Sequence, residues 1–422
     1  MGCSVMSGSV VALLGKLVRN GWLEVETANG VTHKLGDGTG PRLAVKLTDR
    51  AAERELVLDT SFSVGELYMD GRLVVTRGCL YDVLELGARN LADMKGLPWV
   101  RVISKVRVAF RGVHQRNDRR RATTNIARHY DLDARLYELF LDSDRQYSCA
   151  YFEYPGQPLD DAQAAKKRHI AAKLLPKDGA SALDIGCGFG GLALYLARVA
   201  GAKVTGVTLS EEQFAVARER AREAGLAGWV EFRLQDYRDV KETFDRIVSV
   251  GMFEHLGASG YDEYFTTVGR QLKDDGVMLL HAIGRSSGPN ATNPWIRKYI
   301  FPGGYIPSLS EVLPAIERAG LFVTDIEILR LHYANTLRAW RERFMARRDD
   351  AARLYDERFC RMWEFYLAGA ETSFRVDGHM VFQIQIAKRQ DVVPLTRGYI
   401  VEREAELRRR EAAHSQMRHA AE

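Results

Sequence analysis

The sequence predicts an α/β fold in which strands and helices alternate around a mainly parallel sheet. The clearest observation is an apolar strand that ends in the glycine-rich turn Asp184-Ile-Gly-Cys-Gly-Phe-Gly-Gly191 and continues into a helical pattern over 192–199. Three more apolar stretches follow, at 203–210, 230–234 and 246–250. This order is typical of a doubly wound, Rossmann-like sheet.

The glycine turn favours a ligand that contains a nucleoside. Glycines let the backbone approach a ligand closely, and the helix that follows presents its amino terminus to the same place. Asp184 can accept hydrogen bonds from the ligand, and the next strand offers Thr208 and Ser210 instead of the acidic residue of a dinucleotide site. The turn therefore points to S-adenosylmethionine (SAM), although a tight strand-to-helix turn without a ligand can have the same spacing.

Other polar residues follow the carboxyl ends of the later predicted strands. Asp236 follows 230–234, Glu254 follows 246–250, and His281 follows an apolar stretch at 277–280. Because ligands bind beyond the carboxyl ends of the strands in open α/β sheets, these residues are expected to share one crevice with Asp184.

Longer motifs resemble the cyclopropane-fatty-acyl-phospholipid synthases over roughly residues 120–390. The motifs are Asn125-Ile-Ala-Arg-His-Tyr-Asp-Leu132, Tyr147-Ser-Cys-Ala-Tyr-Phe152, Leu183-Asp-Ile-Gly-Cys-Gly188, Leu234-Gln-Asp-Tyr-Arg-Asp239, Gly251-Met-Phe-Glu-His-Leu-Gly257, Leu280-His-Ala-Ile-Gly284, Pro294-Trp-Ile-Arg-Lys-Tyr-Ile-Phe-Pro302 and His332-Tyr-Ala-Asn-Thr-Leu337. A further stretch, Gly65-Glu-Leu-Tyr-Met-Asp-Gly71, resembles the additional amino-terminal domain of the full-length bacterial enzymes.

This resemblance implies a class I SAM-dependent methyltransferase fold with a seven-stranded, mainly parallel sheet, whose last, antiparallel strand is 379–386, and a small α+β amino-terminal domain. The expected domains are a lipid-binding-like domain at 1–100, a basic linker at 101–125, the methyltransferase domain at 126–390 and a charged tail at 391–422. The tail is rich in Glu, Arg and Ala, which predicts a solvated helix or a frayed segment. The resemblance also implies a homodimer.

The site residues are likewise implied by the resemblance. The cofactor would contact Tyr147, Ser148, Asp184, Gly186, Gly188, Thr208, Gln213, Gln235 and Asp236. A bicarbonate ion would serve as the catalytic base, held by the backbone at Cys149 and Ile283 and by the side chains of Glu254, His281 and Tyr333. Because a carboxylate repels an anion unless a proton is shared, the pKa of Glu254 is expected to be raised. The faces of Tyr299, Phe301 and Tyr305 would stabilise a cation.

Each of these residues also has a structural interpretation. Cys149 fits a small buried hydrophobe and His281 a core histidine, while Glu254 and His255 could cap a helix. The aromatic residues at 295, 299 and 301 fit an ordinary core. No pattern predicts a metal site, because the five cysteines, Cys3, Cys79, Cys149, Cys187 and Cys360, lack metal-type or paired spacing and suit a reducing cytoplasm.

Charge is concentrated between residues 101 and 121, where eight basic residues face Asp118 alone. Apolar residues alternate with them, so this segment is expected to lie on anionic phospholipid, at the inner face of the cell membrane. A solvated linker explains the same pattern, and nucleic-acid binding ranks last because no motif for it accompanies the charge. No apolar stretch approaches the roughly twenty residues of a membrane helix, and no signal peptide is evident, so the protein is expected to be cytoplasmic.

The predicted function is the transfer of a methylene group from SAM to the cis double bond of unsaturated phospholipid acyl chains, which forms a cyclopropane. The alternative is a related methyltransferase that forms methyl-branched or methylene acyl chains. Two other classes are a catalytically silent lipid-binding protein, which intact Cys149, Glu254, His281 and Tyr333 argue against, and a small-molecule O- or N-methyltransferase, which would not need the amino-terminal domain.

Overall fold

The computed structural model of the protein describes residues 4–94 and 133–421. The amino-terminal segment contains α1 (Ser4–Leu17), β1 (Trp22–Glu26), β2 (Thr32–Leu35), β3 (Arg42–Leu47), α2 (Arg50–Leu58), α3 (Thr60–Met69), β4 (Leu73–Arg77) and α4 (Leu80–Met94). The central segment contains α5 (Ala134–Glu138), α6 (Leu159–Leu174), β5 (Ser181–Ile185), α7 (Gly191–Arg198), β6 (Lys203–Thr208), α8 (Glu211–Glu223), β7 (Val230–Leu234), β8 (Phe244–Val250), α9 (Tyr261–Gln271) and β9 (Leu272–Arg285). The last segment contains α10 (Pro294–Tyr299), α11 (Leu309–Arg318), β10 (Phe322–Ile328), α12 (His332–Ala346), α13 (Arg348–Leu354), α14 (Glu357–Val376), β11 (His379–Ala387) and α15 (Gly398–Ala421).

The larger sheet has seven strands in the order β10-β11-β9-β8-β5-β6-β7. The pairs β5 with β6, β5 with β8, β6 with β7, and β8 with β9 are parallel, whereas β10 and β11 are antiparallel. The predicted seven-stranded, mainly parallel sheet is therefore confirmed, with β11 as its last strand. Its central strands are buried on both faces, which is why they read as continuous apolar runs.

Two compact units divide the described chain. The described part of the larger unit comprises residues 133–289, Gly303–Thr336 and 380–421 and contains the seven-stranded sheet. Helices cover its core, with one apolar cluster around Phe253 and Phe265 and another around Leu192 and Leu196.

The smaller unit contains a four-stranded sheet in the order β2-β1-β3-β4, in which only β1 and β3 are parallel among the described pairs. It is not limited to the amino-terminal segment, because Asn290–Pro302 and Leu337–His379 belong to it as well. Trp295 packs so closely on α3 that a Cβ at Gly65 would lie 2.4 Å from its Nε1. Tyr68 contacts Phe365 at 6.1 Å between ring centroids. The predicted methyltransferase domain at 126–390 therefore includes two segments that belong to the smaller unit, and the predicted boundaries at 100 and 126 lie outside the described residues.

The charged carboxy-terminal tail forms the helix α15, which is one of the two predicted forms, but the prediction that it is solvated is wrong for one face of this helix. Leu407 is fully buried and Ile400 nearly so, both in the cluster formed by α6, α7 and neighbouring strands. Arg168 of α6 pairs with Glu411 at 3.0 Å, and Arg410 pairs with Asp178 at 2.8 Å. This helix has a narrow apolar stripe flanked by charged residues, and the overall composition of the tail does not reveal such a stripe.

Two features predicted from the sequence, the basic segment 101–125 and the motif 125–132, lie outside the described residues. Within residues 4–94 and 133–421, no helix is long and apolar enough to span a bilayer.

Candidate active site

Asp184 is the penultimate residue of β5 and is almost completely buried. Burial raises its pKa to about 7, and the positive charge of Lys166 acts in the opposite direction. Its Oδ2 is buried with no hydrogen-bond partner among the described residues. Buried carboxylate oxygens are rarely left without a donor, so this oxygen marks a place for the donor of a ligand.

The turn after β5 depends on glycine at two positions. Gly186 has a φ of +79°, and a Cβ there would lie 2.9 Å from Cβ of Met252. Gly188 has a φ of +54°, and a Cβ there would meet no described atom within 4 Å. The first glycine is required by close packing and the second borders open space, as expected where a backbone lines a ligand site.

A cleft runs past the carboxyl ends of β5, β6, β7 and β8, with an empty volume of about 1140 Å³ that includes its open mouth. All nine residues predicted to contact the cofactor line this cleft: Tyr147, Ser148, Asp184, Gly186, Gly188, Thr208, Gln213, Gln235 and Asp236. Arg145, Gln146, Met252 and His255 also line it, and the sequence analysis did not select them for this role. Tertiary structure therefore assembles the predicted set in one place.

Several of these side chains are fixed by hydrogen bonds within the chain. Oγ1 of Thr208 accepts from the Ser210 amide at 3.2 Å, which directs the Thr208 hydroxyl proton to Oε1 of Gln213 at 3.3 Å. Asp236 accepts from Nε of Arg238 at 2.9 Å and pairs with its guanidinium at 2.6 Å. The Asp236 carboxylate is thus paired with Arg238, and the sequence analysis did not anticipate this ion pair.

The segment 145–148 lines the cleft, and side chains of α6 hold it there. Nε2 of Gln163 donates to the Ser148 carbonyl at 2.9 Å. Nζ of Lys166 donates to Oε1 of Gln146 at 2.5 Å and to Oγ of Ser148 at 2.9 Å. Both α6 side chains are fully buried. The sequence analysis missed them, because a glutamine and a lysine three positions apart in a helix are usually solvent-facing.

Glu254 lies in the 3₁₀ turn after β8, and its Oε1 accepts the backbone N–H of Ile283 in β9 at 2.5 Å. Its Oε2 is buried without a hydrogen-bond partner among the described residues. Burial raises the pKa of Glu254 to about 7, against the Ile283 hydrogen bond, which lowers it. The expected rise in the Glu254 pKa therefore has burial as its main cause. The Ile283 N–H, predicted to contact bicarbonate, is used by Glu254 instead.

His281 is also in β9, two residues before Ile283, and is almost completely buried. Nδ1 of His281 lies 3.2 Å from Nε2 of Gln383. Since Nε2 of a glutamine amide only donates, Nδ1 is the acceptor in this contact. Burial holds the pKa of His281 well below its usual range, so this imidazole is neutral at physiological pH.

Cys149 is fully buried, and burial raises the pKa of its thiol, so it is not a nucleophile. The next amide, that of Ala150, donates to Oγ1 of Thr336 at 3.0 Å. Thr336 lies in the first turns of α12, which also carries the buried Tyr333. This hydrogen bond brings the backbone at 149–150 beside the helix that carries Tyr333.

The three aromatic residues predicted to stabilise a cation, Tyr299, Phe301 and Tyr305, fall into two groups. Trp295 and Tyr299 pack with each other in the smaller unit, at 5.5 Å between ring centroids, and Phe301 packs on Tyr366 there. Tyr305 belongs to the larger unit, where its backbone N–H donates to the Glu254 carbonyl at 2.8 Å. Tyr305 is therefore the member of the set that the structure brings beside Glu254.

Comparison with known proteins gives the family. Residues 117–384 match the family model described as mycolic acid cyclopropane synthetase. The chain is 40% identical over 337 residues to the cyclopropane-fatty-acyl-phospholipid synthase of Escherichia coli, covering 79% of this chain and 85% of the relative. It is 37% identical over 369 residues to the tuberculostearic acid methyltransferase UfaA1 of Mycobacterium tuberculosis, covering 84% of each.

A solved structure supports the same conclusion. Mycolic acid cyclopropane synthase CmaA1, in a complex with SAH and CTAB, matches with a TM-score of 0.59 at 33% identity, covering 63% of this chain and 97% of that chain. The predicted class I methyltransferase fold and the resemblance found in the motifs are confirmed. The chain belongs to the mycolic acid cyclopropane synthetase family.

Proposed function

We propose that this enzyme transfers a methylene group from SAM to the cis double bond of unsaturated phospholipid acyl chains. One observation carries the proposal: a cleft lined by all nine predicted cofactor residues lies next to a buried glutamate with a raised pKa. Similarity to the E. coli synthase over most of both chains supports the lipid substrate.

When bound, SAM supplies an electrophilic methyl group on its sulfonium. An isolated alkene is a weak nucleophile, so the chain must contribute chiefly by positioning the two reactants. The glycine turn at 186–188 and the segment 145–148 both line the cleft and would do this. Methyl transfer leaves a carbocation on the acyl chain, and loss of a proton from the new methyl group closes the ring.

A base is needed for that proton, and the residues around Glu254 fit a bicarbonate ion. The fit rests on Oε2 of Glu254, a buried oxygen that lacks a partner among the described residues. With a pKa near 7, this carboxyl can carry a proton and share it with an anion instead of repelling it. Glu254, His281 and Tyr333 would hold the ion, which would accept the proton. The Ile283 amide would help only if Glu254 released it.

The test is product analysis with purified protein, vesicles of a cis-monounsaturated phospholipid and SAM labelled in the methyl group. Cyclopropane adds one carbon and two hydrogens, as does a methylated or methylene-bearing chain, so mass alone does not identify the product. The upfield proton resonances of a cyclopropane ring distinguish it. Labelled lipid without those resonances would refute ring formation, and absence of labelled lipid would refute the lipid substrate.

The second candidate is a methyltransferase that forms methyl-branched or methylene acyl chains at the same double bond. It is favoured by the similarity to tuberculostearic acid methyltransferase UfaA1, which covers more of this chain than the E. coli relative does. The two functions differ in where the cation loses its proton. The same assay separates them.

We further propose a homodimer that associates peripherally with anionic membranes at the cytoplasmic face. The basic composition of residues 101–121 supports the membrane association, and the resemblance to the full-length synthases supports the dimer. Each basic residue near an anionic surface contributes on the order of 1 kcal/mol. Replacing Arg119, Arg120 and Arg121 by glutamine should weaken sedimentation with anionic vesicles, as should added salt. Equal sedimentation in all conditions would refute the role of this segment, and analytical ultracentrifugation tests the dimer.

A further inference from the structure

Lys166 is a fully buried lysine on α6 whose hydrogen-bond partners are unusual. Its Nζ donates to Oε1 of Gln146 and Oγ of Ser148, which are both neutral oxygens. By contrast, Lys173 on the same helix pairs with the carboxylate of Glu327. Burying an ammonium group is costly unless a negative charge compensates it. Burial lowers the pKa of Lys166 to about 8, against the attraction of Asp142 and Asp144, and neither carboxylate is among its hydrogen-bond partners in the described chain.

The two partners of Lys166 both line the cofactor cleft. An ammonium group only donates, so Oγ of Ser148 must accept from Lys166. The hydroxyl proton of Ser148 is then free to point away from Lys166, toward the cleft. Lys166 thus fixes the direction of a hydroxyl donor at the cleft wall and places a positive charge one hydrogen bond behind it.

We propose that Lys166 is a positioning residue for the carboxylate of the methionine end of SAM, acting through Ser148. The inference rests on the proposed function and adds the group that recognises this part of the cofactor. SAM carries one carboxylate, on its methionine end, and its adenosine end carries none. The segment 145–148, which α6 holds by Gln163 and Lys166, is the part of the wall suited to an anion.

The test compares two ligands by isothermal titration calorimetry: S-adenosylhomocysteine and its decarboxylated analogue, which lacks only the carboxylate. The variants are K166M, which keeps the length of the side chain and removes the charge, S148A, and the double variant. K167M is the matched control, since the adjacent lysine pairs with Asp144, which retains Arg220 as a partner.

The wild type should prefer S-adenosylhomocysteine. K166M and S148A should each lower the affinity for S-adenosylhomocysteine about 10- to 100-fold, as expected for the loss of a charge-assisted hydrogen bond. The affinity for the analogue should change little. The double variant should bind S-adenosylhomocysteine as tightly as the single variant with the lower affinity, because both substitutions remove the same interaction. K167M should keep the preference.

Equal losses for both ligands in K166M, or an unchanged preference, would overturn the inference. If K166M does not fold by circular dichroism, S148A decides alone, and an unchanged preference in S148A would overturn it. If the wild type binds neither ligand, the proposed function itself fails, which is a different result.

Discussion

His169 of α6 and Glu404 of α15 are 235 residues apart in sequence, yet Nδ1 of the histidine lies 2.7 Å from Oε1 of the glutamate. Nε2 of the same ring lies 2.7 Å from Oε2 of Glu327 in β10. The ring also stacks on Tyr151, which stacks in turn on His332, the residue before Tyr333. The carboxy-terminal helix is therefore connected by contacts to the helix that carries a predicted catalytic residue.

The first prediction concerns the pH dependence of stability. Burial lowers the pKa of His169, but hydrogen bonds to Glu327 and Glu404 outweigh it, so the pKa in the folded state is raised above 6.5. The histidine thus contributes stability that is fully present below pH 6.5 and lost as the pH rises through the folded pKa. E404Q removes one of the two carboxylates and should make this decline shallower in urea unfolding between pH 5.5 and 8.5. E402Q, at an exposed position of the same helix, should decline like the wild type. Identical slopes in all three proteins would contradict the assignment.

The second prediction concerns the apolar face of α15. L407A should lower the free energy of unfolding by roughly 2–5 kcal/mol, the range for truncating a buried leucine. V401A, at a position that is 68% exposed on the same helix, should change it by less than about 0.5 kcal/mol. Denaturant unfolding of the two variants measures this difference. A similar, small effect in both would show that the helix contributes little to the core.

The third prediction concerns Asp184. Its pKa of about 7 in the folded protein exceeds the unfolded value of 3.8, so the folded protein binds the proton more tightly. The protein therefore loses stability as the pH rises from 3.8 to about 7. Without ligand, D184N should therefore be more stable than the wild type at pH 8 and gain little at pH 4. The same variant should bind S-adenosylhomocysteine at least about tenfold more weakly, because an acceptor is lost. Retained affinity in calorimetry would remove Asp184 from the cofactor site.

The fourth prediction separates binding from chemistry at Glu254. E254Q keeps an oxygen for the Ile283 amide but removes the proton exchange of the carboxyl, so turnover should fall by about 100-fold or more. S-adenosylhomocysteine affinity should stay within about threefold, since Glu254 does not line the cofactor cleft. Labelled-lipid formation and calorimetry on the same preparation measure both. An undiminished rate would refute the role of this residue, and a rise in methylated alkene would locate the defect in proton removal.

Local sequence determined the strands and the turn on which the larger unit depends. The strand predicted at 230–234 is β7 without a shift, and the glycine turn after Asp184 occurs where the spacing places it. Buried parallel strands and positive-φ glycines leave strong local signals, since burial on both faces demands apolar runs and a left-handed backbone demands glycine. The rule for open α/β sheets placed Asp184 and Asp236 around one cleft, but Glu254 and His281, which were expected in the same crevice, are not among the residues that line it.

Tertiary structure alone decided which charged residues are buried and what they contact. Lys166 and the inner face of α15 carry the composition of solvated surface, and only packing between distant segments removes them from water. The hydrogen bond from Ile283 to Glu254 spans 29 residues and depends on the register of β9 against β8. Long-range contacts of this kind set burial and pKa, and no local pattern records them. Local patterns were enough to predict the sheet, the turn and the family, whereas the burial and pairing of each charged group near the site depend on long-range packing.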